Sequence, residues 1–284
     1  MPRTHEEVMN TRDKGLENAV ATNPIDQAIP DVQSTIDTRH IAIQSVGIRS
    51  VKYPVLIELQ GQKPMPSVAE FEMTVFLPAD QKGTHMSRFI ALLEEAQGTV
   101  LTVSGFRAML VEMLQRLDAP SGRIKMELPY FLSKVAPISG VSSLMDYQLT
   151  LEGSATATGQ DIYLTVVVPV TSLCPCSKKI SEYGAHNQRS HVTARVQLKE
   201  DVDIAQFISA IEQQASCELY GLLKRPDEKY VTERAYDNPK FVEDLVRDVA
   251  IAMNKFSQVG QYTVEAENFE SIHNHSAYAR IDRA

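Results

Sequence analysis

The sequence has no run of about 18 apolar residues, so no transmembrane helix is expected. Its opening residues, Met1 to Glu7, lack the apolar stretch of a secretory signal, and a cytoplasmic location is the expectation. A basic excess is also missing: the formal net charge is −8. A surface that binds nucleic acid by releasing counterions must be basic, which argues against general nucleic-acid affinity. A small basic pocket for one anionic ligand is compatible with the same total, because net charge averages over the whole surface. Cysteine is scarce. Cys174, Cys176 and Cys217 cannot all pair with one another, and a reducing compartment favours a thiolate role or plain burial over a structural disulfide. What is present is ordinary for a globular protein: 43% apolar and 23% charged residues over 284 positions, enough for one large domain or two modest ones.

Residues 1–38 are polar, with scattered proline and no sustained periodicity, and read as a tail or arm. Gln44 to Gln60 and Val68 to Leu77 are rich in β-branched and aromatic residues and read as strands. Met86, Phe89, Ile90 and Leu93 fall at helical spacing, as do Phe106, Met109, Leu110, Met113, Leu114 and Leu117. Arg123 to Val135 and Leu144 to Thr158 return to strand character. The second half repeats this order. Strands are expected over Asp161 to Val170 and Ser190 to Leu198, and a helix over about Ile204 to Cys217. A further helix is expected to start at Asn238 as N-cap with Pro239 behind it, carrying the stripe Phe241, Leu245, Val249, Ala252, Met253 and Phe256. Two closing strands follow over Gln258 to Ala266 and Ser276 to Ile281. The pattern is β-β-α-α-β-β twice, in units over residues 39–158 and 159–284, an α+β architecture with antiparallel sheet and helices gathered on one face.

The densest reactive stretch, Thr171 to Ser190, links two strands and holds Cys174, Cys176, Lys178, Lys179, His186 and Arg189. Its cysteines are spaced C-x-C with no second pair, which argues against a four-ligand structural zinc site. An open site of Cys, His and a carboxylate remains, as do a nucleophilic Cys174 activated by its basic neighbours and a merely buried thiol. His273 and His275 sit two apart, which on a strand places them on one face as a ligand or acid–base pair. Asp80 to Phe89 joins a strand to a helix start, and Lys82, His85, Ser87 and Arg88 there suit a phosphate; Thr84 as a simple cap is the plain alternative. Glu228 and Glu243 are surface carboxylates on pattern alone.

The stretches PVTSLCPCSKKISEYGAHNQRSHV, GTHMSRF and SIHNHSAYA together resemble the prokaryotic GTP cyclohydrolases of type IB, from about residue 30 to the end. The resemblance implies the tunnelling fold with two β-β-α-α-β-β units per chain, in homotetramers with sites at subunit interfaces. It implies conversion of GTP and water to formate and 7,8-dihydroneopterin triphosphate, the first step toward folate. Carried over by position, Cys174, His186 and Glu228 are implied metal ligands, with His273 a further ligand or an acid–base group. Glu243 is the implied anchor for the guanine N1 and N2 hydrogens. His85, Arg88, Lys178, Lys179, Arg189 and His275 are candidates to hold the rest of the substrate. The divalent ion is zinc, manganese or iron on ligand chemistry, and no role carries over to Cys176. Two alternatives remain: a same-fold nitrile reductase using a cysteine nucleophile and NADPH, whose E-S-K-S-type segment is absent here, and a non-catalytic purine-binding oligomer, which has no need of Cys174, His186 and Glu228 together.

Overall fold

The computed structural model describes residues 31–59 and 63–284, so most of the arm expected over residues 1–38 lies outside the described residues. Residues Gln33–Ala284 form one compact unit. The first half runs β1 (Ile43–Ile57), β2 (Met65–Leu77), α1 (Met86–Ala96), β3 (Val100–Leu101), α2 (Val103–Leu117), β4 (Gly122–Val135) and β5 (Ser142–Thr156). The second runs β6 (Gly159–Leu173), α3 (Pro175–Ile180), β7 (Asn187–Leu198), α4 (Ile204–Glu212), β8 (Cys217–Glu218), α5 (Arg225–Asp237), α6 (Val242–Met253), β9 (Val259–Asn268) and β10 (Ala277–Arg283). Among the described residues all ten strands share one sheet, in the order β10-β9-β7-β6-β5-β4-β2-β1-β3, with β8 paired to β6. Pairing is antiparallel except between β1 and β3.

Alternation of buried and outward residues makes the central strands. In β5, Met145, Tyr147, Leu149 and Leu151 point into the core, while Asp146, Gln148 and Thr150 point out. Helices α1, α2, α4 and α6 cover the apolar face with Phe89, Phe106, Leu110, Phe207, Ile208, Leu245 and Val249, all in one core cluster with the strands. Each such side chain contributes about 1.5–3 kcal/mol by leaving water. Helix α2 lies so close to β5 that a Cβ on Gly153 would stand 2.9 Å from the Phe106 ring, so glycine there is a packing requirement. Two caps fix helix starts: Thr102 accepts from the Gly105 N–H, and Asp203 accepts from the Ala205 and Gln206 N–H groups. No helix among the described residues is long and apolar enough to cross a membrane.

The expected tunnelling fold of two β-β-α-α-β-β units is not met. One continuous ten-stranded sheet runs through both halves, and neither half keeps the six-element order. Both halves contain a two-residue strand too short to leave a periodic signature, and the second adds α3 and α5. Helix α5 carries no apolar stripe, burying only Asp227 and Ala235. Cys217 is buried as expected, but in β8 and not in a helix, because α4 stops at Glu212. Asn238 closes α5 instead of opening α6, whose N-cap is Phe241. His85, not Thr84, occupies the α1 N-cap, without a side-chain cap bond.

Candidate active site

Strand β6 ends at Leu173, and Cys174 follows at once as N-cap of α3, with Pro175 in the first turn. The chain returns to β7 at Asn187, which pairs with Leu173. The Cys174 N–H donates to the His186 carbonyl at 3.1 Å, adding one rung beyond that pair. Ser177 clasps both residues: its N–H donates to Cys174 Sγ at 3.4 Å, its hydroxyl donates to the Cys174 carbonyl at 3.2 Å, and it accepts from the His186 N–H at 3.3 Å. Cys174 and His186, twelve positions apart, are thereby neighbours at one end of the sheet.

Neighbouring segments are tied to the same strand end. The Leu173 N–H donates to Ser216 Oγ at 3.0 Å, and the Leu173 carbonyl accepts from the Lys240 N–H at 3.1 Å. That second bond brings the start of α6 to the Cys174 loop, with Glu243 exposed in its first turn. The turn after β9 is strapped to β7, since the Phe269 N–H donates to the Arg189 carbonyl at 3.0 Å. His273 and His275 lie in this turn and not on a strand, both exposed, their rings stacked 4.9 Å apart. The His273 N–H donates to the Glu270 carbonyl at 3.4 Å.

The His186 imidazole is half-buried and held at Nδ1. Gln188 Oε1 stands 3.0 Å from that nitrogen, Ser271 Oγ 3.4 Å and Glu270 Oε2 3.9 Å. Gln188 is buried and its amide also donates to Glu270 Oε1 at 3.5 Å. Neither Gln188 nor Glu270 stood out in the sequence. Glu270 directly precedes SIHNHSAYA, and Gln188 sits on the inward-facing register of β7, two residues after His186.

The other expected residues are dispersed. Lys178 is occupied, its ammonium donating to the Tyr236 carbonyl and lying 4.2 Å over the Tyr236 ring, which docks α3 on α5. Lys179 and Arg189 are exposed. Arg88 donates to the Arg116 carbonyl at 2.7 Å, at the end of α2, and His85 contacts Ser34. Helix α1 packs by β1, near the opposite end of the strand order from β7, so these two residues are not brought to Cys174 within one chain. Glu228 is exposed on α5. Its neighbour Asp227, also unanticipated, is fully buried and accepts from the Ile138 and Ser139 N–H groups at 2.8 Å and from the Lys224 N–H at 2.9 Å. Burial pushes the Asp227 carboxyl up, but the donors on Ser139, Lys224 and Ile138 outweigh it and hold the group well below the usual carboxylate range.

Cys174 and His186 are joined through their backbones, and thiol and imidazole are donor types that suit a borderline divalent cation. Among the described residues, no group of three or more His, Cys, Asp or Glu side chains converges closely enough to hold a metal ion. Cys174 and His186 are of the right donor types for such a cation, and among the described residues no third donor joins them.

A family model described as Type I GTP cyclohydrolase folE2 matches residues 29–279. A GTP cyclohydrolase FolE2 of Burkholderia ambifaria is 60% identical over 255 residues, covering 90% of this chain and 94% of that protein. One from a Janthinobacterium species is 59% identical over 275 residues, covering 96% of this chain and 98% of that protein. Among solved structures, a uricase from Arthrobacter globiformis aligns with a TM-score of 0.45 at 9% identity over 84% of this chain and 93% of its own, too distant to carry an argument. The match spans nearly all of the described residues at high identity, and the chain belongs to the type I GTP cyclohydrolase FolE2 family.

Proposed function

We propose that this chain is a GTP cyclohydrolase I, converting GTP and water to formate and 7,8-dihydroneopterin triphosphate at the start of folate biosynthesis. The observation that carries the reading is the hydrogen-bonded junction of Cys174 and His186 at the end of β6, with the first turn of α6 tied to Leu173 beside it. Cys174, His186 and Glu228 hold the metal, and His273 stands by as a further ligand or an acid–base group. A divalent cation, when bound, would supply acidification of water, bringing its pKa down to near neutrality.

The chain's own residues do the rest. Glu243 is exposed at the start of α6, and its carboxylate suits the two adjacent N–H donors of guanine, a bidentate contact that fixes the purine. His273, in the turn after β9, carries an imidazole that can give or take a proton, which suits delivery of a proton to the departing ring nitrogen. His275, Lys179, Arg189, His85 and Arg88 are assigned to the remainder of the substrate, and Lys178 joins them only by leaving Tyr236. Assembly as a homotetramer, with sites between subunits, accounts for the unfinished donor set and for the distance of His85 and Arg88 from Cys174. The enzyme acts in the cytoplasm, where GTP is available. The test is GTP turnover by metal-depleted protein titrated with zinc, manganese or iron. Formate and an oxidisable, fluorescent pterin should appear together; nucleotide binding without formate would overturn the reading.

A further inference from the structure

We infer that Glu270, acting through Gln188, fixes the tautomer of His186 and so decides which ring nitrogen is free to take a ligand. This rests on the reading of His186 as part of the cation site and adds two positioning residues to it. Three side chains make the chain of bonds: Glu270 Oε1 to Gln188 Nε2 at 3.5 Å, and Gln188 Oε1 to His186 Nδ1 at 3.0 Å. Gln188 is 7% exposed and the Glu270 side chain 15%, so water competes little for these contacts.

Direction follows from donor and acceptor chemistry. An ionised carboxylate only accepts hydrogen bonds, whereas an amide has one donating and one accepting end. Glu270 therefore draws the NH2 of Gln188 toward itself, which turns the Gln188 carbonyl oxygen to the imidazole. That oxygen only accepts, so His186 Nδ1 carries the proton. A neutral imidazole has one N–H, and Nε2 is left with its lone pair for a ligand. Ser271 Oγ, 3.4 Å from the same Nδ1, can donate or accept and sets no direction. The second oxygen of Glu270, 3.9 Å from Nδ1, reinforces the N–H orientation electrostatically. Histidines that bind metals commonly give their other N–H to such a partner, which orients the ring and raises its basicity.

The same carboxylate residue also holds the His273 turn through its backbone carbonyl. A change at Glu270 could thus act by moving that turn, and the test must separate the two routes. Exchanging the two functional groups does so. In Glu270→Gln neither partner is restricted to accepting, Gln188 can face either way, and both tautomers of His186 are allowed. In the double variant Gln188→Glu/Glu270→Gln the carboxylate faces Nδ1 directly and the amide lies behind it, so the Nδ1–H form is enforced again.

The measurement is nitrogen NMR of histidine-labelled, metal-free full-length protein at a pH where histidine is neutral, with His186 assigned by His186→Asn. Cobalt(II) titration followed by visible absorption accompanies it. The wild type should show Nδ1–H and a bare Nε2. Glu270→Gln should mix the tautomers and bind cobalt about 10- to 100-fold more weakly, and the double variant should restore both properties. An Nε2–H tautomer in the wild type, an unmixed tautomer in Glu270→Gln, or a double variant no better than the single one would overturn the inference. Should Glu270→Gln fail to fold, the wild-type spectrum decides alone. Undiminished cobalt affinity in Cys174→Ala and His186→Asn, with the Nδ1–H tautomer intact in the wild type, would instead sink the cation-site reading and leave the tautomer assignment standing.

Discussion

Substituting Lys134 by methionine should cost the protein much of its stability, by an amount that depends on pH in a defined direction. Lys134 on β4 places its ammonium 2.7 Å from the Glu212 carboxylate at the end of α4, and Tyr147 on β5 donates to the same oxygen at 2.8 Å. The side chains of Lys134 and Glu212 are 13% and 6% exposed, so the pair is shielded from water. Burial pushes the Glu212 pKa up, while the Lys134 ammonium and the Tyr147 hydroxyl pull it back. Removing the ammonium strands a buried carboxylate, a change that costs about 3–5 kcal/mol. At about 2–4 °C per kcal/mol for a chain of this size class, the melting temperature should fall by roughly 10 °C near neutral pH. The sign with pH is fixed. A carboxyl whose folded pKa is raised is tolerated best in its protonated form, so the penalty is full at neutral pH and shrinks as pH falls through the folded pKa of Glu212. Calorimetry of wild type and Lys134→Met at neutral and mildly acidic pH reads both effects. Lys134→Met/Glu212→Gln should recover most of the loss, because glutamine still accepts from Tyr147. An unchanged melting temperature at neutral pH, or a deficit that grows in acid, would refute the reasoning.

Three further expectations are open to measurement. Cys176 is exposed and has no role in the proposed site, so Cys176→Ala should keep metal content and kcat/KM close to wild type in a standard turnover assay. Glu243→Gln loses the charge that meets the guanine N–H donors, and kcat/KM for GTP should fall roughly 10- to 100-fold with metal content unchanged. Asp227→Asn sets an amide NH2 against backbone donors at the start of α5 and should lower the melting temperature. The native carboxyl titrates below its ordinary value of 3.8, so its stabilisation is present above that pH and is lost as pH falls toward the folded value. The gap between Asp227→Asn and wild type in thermal melts should therefore be full at neutral pH and close only in strong acid.

Strands with strict alternation and helices with a full apolar stripe were legible in the sequence. Tyr147, Leu149 and Leu151 on β5, or Phe106, Leu110 and Met113 on α2, announce their elements because one face of each is buried. Elements held by polar contacts were not. Helix α5 is fastened by Asp227 to the turn after β4 and by Arg234 to Glu218 at 3.0 Å, and none of this has a period. The start of α6 was misplaced because Asn238 and Pro239 form a fair N-terminal signature. In the fold, Asn238 instead donates its side-chain amide to the Ala215 carbonyl at 2.8 Å. The sheet's continuity rests on pairings between distant segments, such as β7 with β9, which local patterning cannot specify. At the site, Cys174 and His186 were visible as reactive residues in one loop. Gln188 and Glu270 were not, because their part depends on a turn arriving from far downstream: Glu270 lies 82 residues beyond Gln188.

The most direct test of the central claim combines metal removal with the residue at the end of β6. Protein stripped by a chelator is given GTP, then titrated with a divalent cation, while formate and pterin are quantified together and Cys174→Ala is carried in parallel. The expected result is no turnover in stripped protein, equal amounts of formate and dihydroneopterin triphosphate once the cation is restored, and neither metal nor turnover in a folded Cys174→Ala. Full activity in the stripped protein, or near-normal activity in Cys174→Ala, would contradict it.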